Sequence, residues 1–201
     1  DCLLIITSQL KAIALDIEAQ TAYIEAGVQW KDVVEKTHAA GLMPLLGSSS
    51  NVGAIGYTLG GGMGWLTRKF GLAIDSVLKF DIVTPDGERR IASVTENSDL
   101  FWALRGGAKG TLGVVTAMHI RLYPVASLYS GSIIYPIEDA KEVFTYYRDW
   151  YQHLSKDWTT AIGIMHMPPM PELPPFLQGR SVVMVTGAYC GDPKIGQMLV
   201  Q

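Results

Sequence analysis

Asn51-Val-Gly-Ala-Ile-Gly-Tyr-Thr-Leu-Gly-Gly-Gly-Met-Gly-Trp-Leu-Thr-Arg-Lys-Phe-Gly-Leu72 places six glycines in its first fourteen positions. Glycine loses more backbone freedom on folding than any other residue, so this density is kept only where it is needed. Such places are those where the main chain bends left-handed or lies flush against something large and flat. A tight turn needs one or two glycines. The stretch therefore reads as bare backbone shaped to receive a large cofactor.

Three familiar glycine or serine motifs fail here. A dinucleotide fingerprint needs G-x-G-x-x-G, and Gly60 and Gly62 start one, but Trp65 stands where the last glycine belongs. A phosphate loop needs Gly-Lys followed by Ser or Thr, whereas Gly110 is followed by Thr111 with its lysine before it. Gly47-Ser48-Ser49-Ser50-Asn51 lacks the second glycine of a serine-hydrolase elbow.

Outward from the glycines, Ile13, Leu15 and Ile17 alternate, as do Ala22, Ile24 and Ala26, which predicts two paired strands. Trp30, Val33, Val34 and Thr37 follow at helical spacing, with Gly41 placed to end that helix. Leu78, Phe80 and Ile82 predict a strand, Thr84-Pro85-Asp86-Gly87 a turn, and residues 91–94 the returning strand. Asn97 or Ser98 is placed to cap a short helix over 99–105. A second glycine cluster, Gly106, Gly107, Gly110 and Gly113, feeds a strand on which Val114, Thr116, Met118, Ile120 and Leu122 share one face.

The texture changes near Ala126. Strand, helix, strand, strand are predicted over 132–135, 140–151, 161–167 and 181–188, with a proline-dense loop at 168–175. Residues 1–125 and 126–201 thus read as two domains of an α+β protein. The opening run, Leu3 to Ile6, is strand-like and lacks the charged leader of a signal peptide. It reads as a chain that begins inside a domain, with a cytoplasmic location as the expectation.

Composition narrows the function. Hydrophobic residues make up 48% of the 201 and charged ones 17%, as in a packed globular protein. The net charge of −3 and the lack of a basic stripe argue against nucleic acid. No apolar run approaches the roughly 18 residues that span a bilayer. Cys2 and Cys190 lie far apart, and His38, His119, His153 and His166 lack ligand spacing, so no metal is expected.

Residues 47–72, the block Asp99-Leu100-Phe101-Trp102-Ala103-Leu104-Arg105-Gly106-Gly107 and Gly113-Val114-Val115 together resemble FAD-linked oxidases. The resemblance is to the vanillyl-alcohol-oxidase and p-cresol-methylhydroxylase (PCMH) superfamily, in its berberine-bridge-enzyme-like branch, over residues 3–125. It implies the second subdomain of a PCMH-type FAD-binding domain, followed by the start of an antiparallel-sheet substrate domain. Ser49, Asn51, Val52, Gly53, Gly56, Tyr57, Gly61, Gly62 and Gly64 would line the ribityl chain and the isoalloxazine edge. Gly113, Val114 and Val115 would meet the adenine end through main-chain atoms.

The departures matter too. Many relatives bond the flavin to a cysteine at the position of Ser49, and a hydroxyl cannot make that link, so a non-cysteinyl FAD is implied. Tyr57 stands where relatives often carry a histidine near the pyrimidine side of the flavin. The relatives' upstream pyrophosphate-loop subdomain and their downstream segment with the catalytic base have no counterpart in the sequence, so the catalytic residues are left unassigned. The implied activity is hydride removal from an alcohol, sugar or amine carbon by FAD, with oxygen as the final acceptor. The loop at 167–175 would rim the substrate pocket or serve as a plain connection. The alternative is a catalytically silent fragment or scaffold that binds FAD weakly or not at all and self-associates through an exposed face.

Overall fold

The computed structural model describes residues 4–107 and 110–199. The chain divides into two compact units, Asp1–Ala126 and Ser127–Gln201.

In the amino-terminal unit, β1 (Ile13–Asp16) and β2 (Thr21–Glu25) form an antiparallel hairpin with Ile13 opposite Ile24. α1 (Trp30–His38) starts where Asp32 accepts the Gln29 backbone N–H at 3.1 Å, which satisfies one donor that a helix start would otherwise orphan. Its Trp30, Val33 and Thr37 face inward, at the spacing one helix face requires. β3 (Leu42–Met43) and two short helices follow, α2 (Ala54–Thr58) and α3 (Thr67–Phe70), then a 3-10 turn (Ala73–Ser76). β4 (Val77–Val83), β5 (Arg89–Ser93), α4 (Ser98–Leu104), β6 (Val114–Arg121) and β7 (Tyr123–Pro124) complete the unit.

The main sheet runs β1-β2-β6-β4-β5 with every neighbour antiparallel, and β3 pairs with β7 in a small second sheet. Ile24, Phe80, Ile82, Met118 and Ile120 form the sheet's contribution to the core. Trp30 and Val33 of α1, Ile55 of α2, and Phe101 and Leu104 of α4 pack into the same core. Burying each large apolar side chain contributes about 1.5–3 kcal/mol, so this layer dominates the unit's stability.

The structure shifts one predicted strand face. Asp81 pairs with Ala117 but Ile82 pairs with Val115, so β6 holds one extra residue, Thr116, against β4. Such a bulge flips the alternation. Met118, Ile120 and Leu122 do share the core face, but Val115 takes the place expected for Val114 and Thr116. Thr116 instead uses its hydroxyl to donate to the Asp81 carbonyl at 3.2 Å, and its own carbonyl accepts the Ala26 N–H at 2.9 Å.

Two smaller expectations change as well. Asn97 occupies the N-cap position of α4, but its side chain donates to the Ile91 carbonyl at 2.7 Å and ties the helix to β5 rather than capping it. Leu4, Ile5 and Ile6 lie in no strand and are exposed, with no strand among the described residues paired to them; Leu3 falls outside the described residues.

The carboxy-terminal unit has the predicted order: β8 (Tyr129–Pro136), α5 (Ala140–Trp150), β9 (Trp158–His166), β10 (Ser181–Tyr189) and α6 (Pro193–Met198). Its antiparallel sheet is ordered β8-β10-β9. Tyr147 of α5 bonds Thr160 of β9 through their hydroxyls at 2.7 Å, and a hollow of about 480 Å³ remains between helix and sheet. The proline-dense loop is the connection between β9 and β10, closed by the Met167 N–H donating to the Arg180 carbonyl at 2.9 Å.

Candidate cofactor site

The glycine-rich segment is stitched to the start of α1 by main-chain bonds. Trp30 N–H donates to the Val52 carbonyl at 3.1 Å, Lys31 N–H to Ser50 at 2.8 Å, and Ala54 N–H to Val28 at 2.9 Å. These bonds fix α2, a helix that sequence periodicity missed because its five residues are too few to show a period. Ala54, Ile55 and Thr58 turn inward, and the Thr58 hydroxyl donates to the Ala54 carbonyl at 2.8 Å. Gly53 and Gly56 are on the opposite, exposed side, where an added Cβ would meet nothing within 4 Å.

That side is the floor of an open depression of about 510 Å³. Val52, Gly53, Gly56, Tyr57, Gly60, Gly62 and Met63 line it, without a charged side chain among them. Ser49 and Asn51 are exposed on the loop leading into α2. Sequence reasoning did not single out Met63, which is 77% exposed; an apolar side chain flanked by two glycines was the available signal.

Gly62 and Gly64 have a different reason to be glycine. Gly61 and Gly62 offer their carbonyls to the N–H groups of Ile74 and Ala73, at 3.0 and 2.8 Å. A Cβ on Gly62 would lie 2.6 Å from the Ala73 Cβ and 2.6 Å from Tyr57 Cε1. A Cβ on Gly64 would lie 1.9 Å from the Leu46 carbonyl oxygen. At these positions the absent side chain makes room for the protein's own chain.

Tyr57 sits at the centre of this packing. Its ring meets Trp30 edge-on, with centroids 5.9 Å apart and planes at 89°. Its hydroxyl is buried without a hydrogen-bond partner among the described residues, as is Trp30 Nε1, and burial pushes the phenol's pKa up.

Gly113, Val114 and Val115 are not among the residues lining the depression. Val114 and Val115 pair with Val83 and Ile82, and the Val115 side chain is in the core. Among the described residues, no group of three or more His, Cys, Asp or Glu could hold a metal, and no helix is long and apolar enough to cross a membrane.

Comparison with known proteins shows which family this fold belongs to. Residues 1–93 match the FAD binding domain family. The FAD-linked oxidoreductase YgaK of Bacillus subtilis, itself uncharacterized, is 34% identical over 164 residues, which are 80% of this chain and 36% of that protein. The FAD-linked oxidoreductase phmC of Phaeosphaeria nodorum is 42% identical over 119 residues, 59% of this chain and 27% of its own. The chain belongs to the PCMH-type FAD-binding superfamily. The solved 6-hydroxy-D-nicotine oxidase of Arthrobacter nicotinovorans superposes with a TM-score of 0.78 at 27% identity, covering 94% of this chain and 40% of that one. The berberine-bridge-like protein 1 of Physcomitrella patens gives 0.78 at 25% identity, over 93% and 38%. This member of the superfamily thus spans only 36% and 27% of the length of these two curated relatives.

FAD fits the residues present. Gly53 and Gly56 make a cradle that any Cβ would narrow, and an uncharged, mostly main-chain floor suits a flat ring system.

Proposed function

We propose that the protein carrying this chain is an FAD-dependent oxidase acting on an alcohol, sugar or amine carbon, with dioxygen as final acceptor. The observation that carries this reading is the bare main-chain floor at Val52, Gly53 and Gly56, set on a fold shared with an oxidase and a berberine-bridge-like protein. FAD supplies the hydride-accepting chemistry when bound.

In this reading the chain's own residues bind and orient. The floor around Gly53 and Gly56 receives the flavin, and Val52 and Met63 keep water from its edge. Ser49 and Asn51 contact the cofactor from the entering loop without a covalent bond. Gly113, Val114 and Val115 offer main-chain atoms to its adenine end. The carboxy-terminal unit is the start of the substrate domain.

The test is spectroscopic. Purified protein should show the visible flavin bands, bleach anaerobically with a primary alcohol, an aldose or an amine, and recover colour in air with one hydrogen peroxide per turnover. A flavin that bleaches but does not recover in air would replace oxygen with another acceptor. A colourless protein that ignores added FAD would refute the proposal.

A further inference from the structure

Three glycines, on the two limbs that flank α2, converge on one ring. A Cβ on Gly47 would stand 3.0 Å from Tyr57 Cε2, one on Gly62 would stand 2.6 Å from Cε1, and one on Gly64 would stand 3.4 Å from Oη. Gly47 belongs to the limb that enters α2, and Gly62 and Gly64 to the limb that leaves it. The phenol ring is therefore wedged between the two limbs, with Trp30 edge-on to it. Where the chain closes on Tyr57, a side chain at Gly62 would collide with the ring and one at Gly47 would require it to shift; at Gly53 and Gly56, at the start and middle of the helix that carries Tyr57, the space is open. The open floor and the closed clamp are two sides of one arrangement.

The hydroxyl does nothing visible in it. It is buried and unbonded, although a buried phenol normally finds a partner. A tyrosine placed to hydrogen-bond a cofactor keeps its oxygen accessible, and this one is closed off from solvent. We infer that Tyr57 is a positioning residue for the cofactor floor, acting through the bulk of its ring as a strut between the limbs and not through its hydroxyl. This rests on the proposed placement of FAD over Gly53 and Gly56, and it departs from the expectation that the residue at this position addresses the flavin directly.

The inference makes phenylalanine a full substitute and aliphatic residues poor ones. Leucine leaves a void next to Trp30 and lets the limbs close toward each other, which buries part of the floor. An alanine at Gly47 presses on the strut from outside, because its methyl group would need the space within 3.0 Å of Cε2.

The experiment compares Tyr57→Phe, Tyr57→Leu and Gly47→Ala in the FAD-loaded protein. Readouts are the FAD-to-protein ratio, the flavin absorbance maxima and midpoint potential, and the thermal midpoint of the FAD-free protein. Tyr57→Phe should load FAD as the parent does, with unshifted maxima and potential and a thermal midpoint no lower. Tyr57→Leu should weaken FAD binding roughly tenfold and lower the thermal midpoint. If it fails to accumulate, Gly47→Ala should show the same two losses in milder form. A shifted flavin spectrum or potential in Tyr57→Phe would overturn the inference by revealing a bond from the hydroxyl. Normal loading and stability in both Tyr57→Leu and Gly47→Ala would overturn it by removing the strut. Gly56→Val tests the placement separately: it should cut FAD loading without lowering the thermal midpoint of the FAD-free protein, the state in which all thermal midpoints here are compared. If it loads normally, the placement of FAD fails, while the thermal midpoint of Tyr57→Leu still reports on the strut.

Discussion

The carbonyl oxygen of Val83 lies 2.3 Å from the point where a Cβ on Gly113 would be. Gly113 opens β6 beside the end of β4, with φ of +140°. Its glycine identity is dictated by the approach of two backbones, which cannot yield as a flexible side chain can.

Gly113→Ala should therefore lose about 2–4 kcal/mol of stability, from strain and a backbone clash together. Gly87 separates the two causes. It has φ of +83° but open space around it, so Gly87→Ala should lose only the left-handed penalty of about 1–2 kcal/mol. Urea denaturation of both variants measures the difference. Equal losses would mean that the close approach to Val83 relaxes at no cost.

Gly56 and Gly62 line the same depression and should respond with opposite signs. Gly56 lies inside α2 with nothing near its missing Cβ, so Gly56→Ala gains about 0.5–1 kcal/mol of helix propensity. Gly62→Ala pushes a methyl into Ala73 and Tyr57 and should cost about 1–3 kcal/mol. Both should bind FAD less well, the first by narrowing the cradle and the second by displacing its wall. Calorimetric unfolding without added FAD, beside flavin fluorescence quenching, reads the two effects separately.

Much of this was legible in the sequence because it is periodic. The β1–β2 hairpin, α1, α5 and the strand–helix–strand–strand order of the second unit follow from alternation or from spacing of three and four. The phase of β6 was not, because the bulge at Thr116 depends on its pairing with β4, a contact set by residues 35 positions away. Within the glycine-rich run, composition announced that bare backbone was needed but not against what. Gly53 and Gly56 face open space, whereas Gly62 and Gly64 face Tyr57, Ala73 and the Leu46 carbonyl. That division is a property of tertiary packing, and no local pattern encodes it.

Ser49 is exposed on the loop before α2, at the position where the family resemblance implies a flavin-linking cysteine. The tryptic peptide 37–68, which contains it, should carry no flavin mass in the FAD-loaded protein. Ser49→Cys restores the sulfur and should give a fraction of that peptide with FAD attached, seen as colour retained in the acid pellet and by mass spectrometry. Flavin on the parent peptide would contradict the non-covalent assignment of this loop. A Ser49→Cys peptide that never acquires flavin would place the loop away from the ring's reactive edge.

On the sheet face away from the core, His119 lies between Tyr23 and Lys79, its neighbours across β2 and β4. The rings of His119 and Tyr23 meet edge-on at 5.1 Å. Partial burial first, and the Lys79 ammonium second, hold the imidazole below its ordinary 6.5, with Asp81 opposing them. The folded protein thus binds a proton at this site less readily than the unfolded chain does. The stability tied to this site is fully present above pH 6.5 and is lost as the pH falls through the depressed value, because protonation then favours unfolding. His119→Gln should flatten the pH dependence of the thermal midpoint in that window, and Lys79→Met should move the His119 Cε1–H titration upward by NMR. A histidine titrating at 6.5 in the parent, unmoved by Lys79→Met, would show that neither burial nor the lysine acts on it.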